Sequence, residues 1–440
     1  MKLWILTLAS LVLTTVVPSS AAVSGPFRIS QERPTLDRWM YPFNVYAGSR
    51  VVAPTYGSFD PRFDARDAQF LLGWDTASEI PTNAGPSRYL LRRVVVQVTS
   101  IAPNSPNQPF VYDPTYDSAF SYVTNQPGFR PDTDPGRPIE LYGMGFRGGF
   151  TTETFLENSP FGPIRPFTSP DIAIESRNAY AATFDEAGEL IDISNHAAQL
   201  NAAWTRPTFE VHPWAVGTTT NAAPGEPVPD DAKMRFAVEL TDPLVVGYLQ
   251  SALDQGRLRL VVSCLSPAGQ STTGGTGAGG SGAYPWWATK EHGLYDAPRL
   301  ELEGVVVGPG DEDADGLPDD WERFYWGAID AFGALEDADG DGAANGAEWQ
   351  AGTDPRDAGS VFRITRTWLE PGGILVLQFR FAASRDYAVE TASAAAGADW
   401  VAAAGSLRFP EPGVAEWRSD SRESVPTPGA RLVRVRSVAR

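Results

Sequence analysis

Two acidic loops in the same register, 26 residues apart, constrain this 440-residue chain more than any other feature. The first runs Asp311-Glu312-Asp313-Ala314-Asp315-Gly316-Leu317-Pro318-Asp319-Asp320-Trp321-Glu322. A hard cation needs roughly six to eight close oxygens, which a twelve-residue loop can deliver from positions 1, 3, 5, 7, 9 and 12. In the first loop those positions hold Asp311, Asp313, Asp315, the Leu317 carbonyl, Asp319 and Glu322. In the second they hold Asp337, Asp339, Asp341, the Ala343 carbonyl, Asn345 and Glu348. Gly316 and Gly342 occupy position 6, where the loop turns through a backbone conformation most residues avoid. A solvated acidic linker has no reason to keep that glycine and the final glutamate in both copies. The all-oxygen donor set therefore predicts bound Ca2+, held for structure at the roughly 10⁻⁴ to 10⁻³ M affinity usual outside cells.

The flanks set limits on this module. Val307-Gly308-Pro309-Gly310 cannot form an entering helix, so the first loop is not a full EF-hand. Exiting helices are expected over 319–331, started by Pro318 and carrying Trp321, Phe324 and Tyr325, and over 344–351, ended by Gly352. Fifteen acids against two arginines give residues 309–357 a charge of −13 out of −19 for the whole chain. That balance suits cations and argues against nucleic acid or an anionic membrane as partner.

The N-terminus reads as a secretory signal over residues 1–22. Lys2 precedes an uncharged apolar run from Leu3 to Val17, and Ser20-Ala21-Ala22 supplies small residues for cleavage. About fifteen apolar residues are short for a span of roughly 20, so no membrane span is expected after cleavage. The expected location is secreted, periplasmic or at the cell surface. Cys264 is the single cysteine, so no intramolecular disulfide can form, and its strand-like neighbours suggest a buried, inert thiol.

The remainder is patterned for β structure, and the fold class expected is mostly β. Residues 23–307 hold short β-type runs such as Leu90 to Val98, Lys233 to Leu240 and Leu258 to Ser263, separated by turn-rich clusters. This suits a large β-sandwich or jelly roll with one helix, over 242–254. The Gly/Ser/Thr-rich stretch from Pro267 to Ala283 reads as a loop inside that domain, because 298–307 looks like a strand needed to close the sheet. Residues 308–358 form the short helical calcium-binding spacer. In 359–440, runs at 361–364, 374–381, 387–390 and 431–438 predict a small fibronectin type III-like or immunoglobulin-like β-sandwich.

The spacer resembles thrombospondin type 3-like and dockerin-like calcium modules over about fifty residues. Positions 10 and 11, often Ser and Thr in dockerins where they recognise a cohesin, are Asp320-Trp321 and Gly346-Ala347 here. Gly-Leu-Pro-Asp-Asp-Trp-Glu, with the later Asn-Gly-Ala-Glu-Trp and Gly352-Thr353-Asp354-Pro355, looks like linkers of large exported bacterial proteins. That resemblance implies a calcium-stiffened spacer ahead of a C-terminal β-sandwich.

No catalytic residues can be assigned in the large domain. His196, His212 and His292 lack zinc-ligand spacing, and no nucleophile elbow or phosphate loop is present. Asp64, Asp67 and Asp75 read as solvated aspartates. Aromatics are more suggestive: Trp39, Tyr41, Trp204, Trp214 and above all Tyr284, Trp286 and Trp287 could offer flat faces to sugar rings. The segments 65–75, 89–99, 287–291 and 298–307 resemble parts of jelly-roll carbohydrate-binding modules, which implies sugar binding by the large domain. The expected function is non-catalytic adhesion or carbohydrate binding, with polysaccharide or a cell-surface component as partner. A polysaccharide-active lyase or hydrolase, and a structural surface-assembly protein, are the two alternatives.

Overall fold

The computed structural model describes residues 24–42, 44, 48–57, 67–101, 110–121, 128–162, 177–193, 210–265, 284–393, 400–420 and 431–439. The N-terminal apolar run, the 267–283 loop, Asp64, His196 and Trp204 lie outside them.

Alternating burial builds the first sheet of the large domain. In Arg299–Val306 the side chains of Leu300 and Leu302 point inward while Arg299, Glu301 and Glu303 face out. The sheet runs Gly25–Gln31, Arg299–Val306, Tyr89–Ile101, Trp286–Ala288 and Val52–Pro54, all antiparallel, with Lys233–Ala237 also on Tyr89–Ile101. The closing strand expected at 298–307 is therefore an interior one, paired on both sides, because Gly25–Gln31 adds on beyond it.

The second sheet runs Leu36–Met40, Gln69–Asp75, Arg257–Ser263, Glu140–Phe146, Ala179–Phe184 and Leu190–Asp192, with Ala215–Val216 beside Glu140–Phe146. Its central strands are buried on both faces, which explains their continuous apolar runs. One face meets the first sheet: Phe70, Leu72, Trp74, Leu260 and Val262 pack with Val94, Val96, Leu300 and Leu302 in one core. The other face, with Leu71, Tyr142, Ala181 and Val261, is covered by Phe155, Phe161 and Val211 from connecting segments. The helix Pro243–Asp254 forms as expected, its first turn capped by the Asp242 carboxylate accepting from the Leu244 N–H at 2.9 Å. Cys264 is buried, as its neighbours suggested.

The C-terminal unit is a second, smaller pair of antiparallel sheets. Ile364–Leu369, Leu375–Arg380, Val414–Ser419 and Gly405–Glu411 form one, in that order. Val401–Ala402, Arg385–Ser393 and Arg431–Ala439 form the other. Leu377, Phe379, Val389, Ala415 and Trp417 share the core between them. The protein is thus mostly β, in two sandwiches.

Residues 308–358 lie between these sandwiches and pack on both. Val305 and Val307, leaving the first sheet, enter a small core with Leu317, Trp321 and Phe324. Arg92 stacks its guanidinium 4.5 Å from the centre of the Phe324 ring and donates to the Phe324 carbonyl. On the other side Arg385 donates to the Trp349 carbonyl at 2.9 Å, and Ser384 bonds Gln250 of the large domain.

Candidate metal centre

Each loop is wired by its own side chains. Asp311 accepts from the Asp315 and Gly316 N–H groups at 3.2 and 3.1 Å, and Asp337 accepts from Gly340 and Gly342 at 2.8 and 2.9 Å. Asp315 and Asp341 take the N–H groups of Leu317 and Ala343 at 2.8 and 2.7 Å. These bonds curl the chain around the space between the aspartates. Gly316 and Gly342 carry φ values of 99° and 95°, which a side chain would strain. Leu317 is fully buried in the spacer core, anchoring the first loop at the position expected to offer a carbonyl.

The carboxylates converge. Those of Asp311, Asp313 and Asp315 each offer an oxygen within 4.8 Å of the others, as do Asp313, Asp319 and Glu322, and Asp337, Asp339 and Asp341. A cation with oxygen bonds of about 2.4 Å spans about twice that distance between opposite ligands. One ion can therefore touch every member of such a group. These acidic groups could hold metal ions.

The glutamates that end the loops carry the sharper signal. The helix Asp319–Tyr325 turns Glu322 beneath the first loop, where it is 0% exposed and neither carboxylate oxygen has a hydrogen-bond partner. In the second loop, on Asn345–Ala351, Glu348 receives the Thr353 hydroxyl at 3.0 Å on one oxygen and nothing on the other. The Oδ2 atoms of Asp339 and Asp341 are likewise buried without a partner. Burial pushes the Glu322 carboxyl up to about 8, and the charges of Asp313, Asp315, Asp319 and Asp311 push the same way. Burial likewise raises Glu348 to about 7. A buried carboxylate without a counter-charge costs several kcal/mol. A cation among these oxygens removes that cost, so the residues present fit one.

Position 9 also ties its loop together. Asp319 Oδ1 accepts the Glu312 N–H at 2.8 Å and Asn345 Oδ1 accepts the Ala338 N–H at 3.3 Å, so each closes its own loop. Asn345 also donates to the Gly333 carbonyl at 2.9 Å. Asp315 links the two loops by taking the Ala334 N–H at 2.7 Å. Positions 10 and 11 of the first loop face inward: Asp320 accepts from the Gly308 N–H at 2.9 Å and Trp321 is buried. The expected helix over 319–331 ends at Tyr325, because Gly327 takes a left-handed φ of 82° and stops it.

Among the aromatic candidates the outcome is split. Trp287 is 0% exposed and donates to the Thr55 hydroxyl at 3.0 Å. It belongs to the core, which corrects its reading as a ligand residue: alternation along Trp286–Ala288 turns one tryptophan in and the other out. Trp286 and Tyr284 stay half-exposed. Tyr284 stands 4.6 Å from Tyr56, Tyr56 stands 5.9 Å from Tyr41, and Tyr41 stacks on Trp39 at 4.6 Å. The chain thus brings four half-buried rings together from segments far apart in sequence, which no local pattern signals. Trp214 is buried and donates to the Thr183 hydroxyl at 3.2 Å. His212 lies against Tyr116, and His292 accepts the Leu294 N–H at 3.4 Å. Asp67, read as a solvated aspartate, is instead buried and paired with Arg177, whereas Asp75 stays exposed beside Arg259.

Comparison with protein-family models, with curated proteins and with solved structures returns no match.

Proposed function

We propose that this chain is an exported, calcium-binding modular protein whose two β domains are joined by a calcium-loaded spacer. The carrying observation is Glu322, fully buried with both oxygens unpartnered at the twelfth position of a loop whose aspartates converge on the same space. The near-repeat at Glu348 supports the same reading. Oxygen donors alone, without imidazole or thiolate, select a hard cation, and outside cells the abundant one is calcium. Bound there, Ca2+ would neutralise the converged carboxylates, with Asp311, Asp313, Asp315, Asp319, Glu322, Asp337, Asp339, Asp341 and Glu348 holding it. Calorimetric titration of the metal-freed chain tests this, with saturable uptake expected at a Kd of about 10⁻⁴ to 10⁻³ M. Absence of uptake at 10 mM calcium, well above that range, would sink the proposal.

The large domain, on this reading, carries the binding activity, and the row Trp39, Tyr41, Tyr56 and Tyr284 favours carbohydrate as the ligand. Half-buried rings can stack on sugar C–H faces, and Arg50, 5.6 Å from the Trp39 ring, can bond hydroxyls beside them. A platform of this kind suits retention of a polysaccharide at a surface better than bond cleavage. A glycan array probed with wild type and with Tyr284→Ala tests it, and identical profiles would remove these rings from the site.

A further inference from the structure

A third acidic group lies in the large domain, on the segment leading into Glu140–Phe146. It comprises Asp113, Asp117, Asp132, Asp134 and Glu140, with Arg137 in their midst. Two features of the backbone bring it together. Tyr112 is tied to the 225–228 segment by its N–H to the Glu226 carbonyl at 2.8 Å. The chain then returns at Gly136, φ 111°, so tightly that a Cβ there would stand 2.9 Å from the Cβ of Asp113. Residues 113–117 are thereby laid against 132–137.

The carboxylates of Asp113, Asp117 and Asp134 offer oxygens within 4.8 Å of one another. Asp113 and Asp117 are 3% and 5% exposed. Arg137 is shared between Asp117, at 3.1 Å, and Asp132. The Thr115 hydroxyl stands 2.6 Å from Asp113 Oδ1 and 2.8 Å from Asp134 Oδ2, and its one proton serves one of them. Two atoms are left over. Asp113 Oδ2 is buried without a partner, and so is Oε1 of Glu140, a side chain only 1% exposed and close enough to feel the charges of Asp113 and Asp117. Three buried acids, Asp113, Asp117 and Glu140, stand against one buried arginine that Asp132 also shares, and unpaired buried carboxylates are among the costliest groups a fold can hold.

We propose that Asp113, Asp117 and Asp134 bind a third hard divalent cation, calcium by its ligand class, independently of the spacer. The donor set is all oxygen, and its spacing matches ligands arranged around one ion at about 2.4 Å. The site would fasten residues 113–117 to residues 132–137, at the entry to the second sheet.

The test counts calcium bound to the full chain by equilibrium dialysis and metal analysis, with near-UV circular dichroism to confirm folding. Wild type is expected to bind three equivalents, Asp113→Asn/Asp134→Asn two, and Glu322→Gln/Glu348→Gln one. A folded Asp113→Asn/Asp134→Asn variant that binds as many equivalents as wild type overturns the proposal. So does a Glu322→Gln/Glu348→Gln variant that binds none. Should the first double variant misfold, Asp134→Asn alone decides: Asp134 is exposed, and its loss should weaken one site at least tenfold while sparing the others. An unchanged set of affinities there overturns the site. A wild type binding one equivalent, lost in Asp113→Asn/Asp134→Asn, would refute the spacer reading and leave this one standing.

Discussion

Replacing Glu322 by glutamine separates a calcium ligand from an ordinary buried acid, because the two roles predict opposite costs. In the metal-free chain burial holds the Glu322 carboxyl at about 8, so near pH 7 it is mostly protonated. Glutamine has almost the same shape and the same zero charge as that neutral acid. The metal-free variant should therefore melt at or above the wild-type temperature, since the glutamate must take up a proton on folding near pH 7 and glutamine need not. With calcium the comparison inverts. At 10 mM calcium and a Kd of about 10⁻⁴ M, one site stabilises the folded state by about 2.7 kcal/mol. For a unit of 150–250 residues each kcal/mol shifts the melting temperature by about 2–4 °C, so losing the site removes roughly 5–10 °C of the calcium-induced rise. Differential scanning calorimetry of both proteins in EGTA and in 10 mM calcium, the concentration of the linkage arithmetic, reads all four values. A variant that keeps the full calcium-induced rise refutes the ligand role. One that is strongly destabilised in EGTA refutes the claim that nothing else holds Glu322.

Three further outcomes follow from the same geometry. Glu322 and Glu348, held at about 8 and about 7 in the folded chain, return to the usual glutamate value of 4.5 on unfolding. The folded state then binds more protons between those values, so melting temperature in EGTA should fall as pH rises from about 5 to 8. In saturating calcium these carboxylates are ionised in both states over most of that range, so the trend should flatten, which parallel melting series would show. Ala314 holds a left-handed φ of 60° at the position where the second loop has Gly340, so Ala314→Gly should raise stability by about 0.5–1 kcal/mol in denaturant titrations. Trp287→Ala should cost about 3–5 kcal/mol as a core truncation, whereas Trp286→Ala, on the outward face, should cost well under half of that in the same titrations.

The acidic loops were legible because their residues are local. A period of two along Asp311, Asp313 and Asp315, with glycine at position 6, reads directly as a curled loop, and backbone N–H groups bonded to Asp311 curl it. What local reading did not show is that Asp319 and Asn345 also close their own loops, as short polar side chains close to free N–H groups do. The β class was legible from alternation, and so was the helix capped by Asp242. Strand order was not. Arg299–Val306 ends the domain in sequence yet lies inside its sheet, because Gly25–Gln31, from the other end of the domain, pairs along its free side. The aromatic row and the Asp113 group were hidden for the same reason, as their members come from segments that only the finished fold brings together.

The interior position of Arg299–Val306 also decides how the molecule carries tension. A pull on the C-terminal sandwich travels through the spacer into this strand, whose last residues are clasped by Leu317 and Trp321. Antiparallel ladders run along both its edges, to Gly25–Gln31 and to Tyr89–Ile101. Force along the strand axis loads those rungs in shear, so they must give way together rather than peel one at a time. The junction has the bonding pattern of a mechanical anchor.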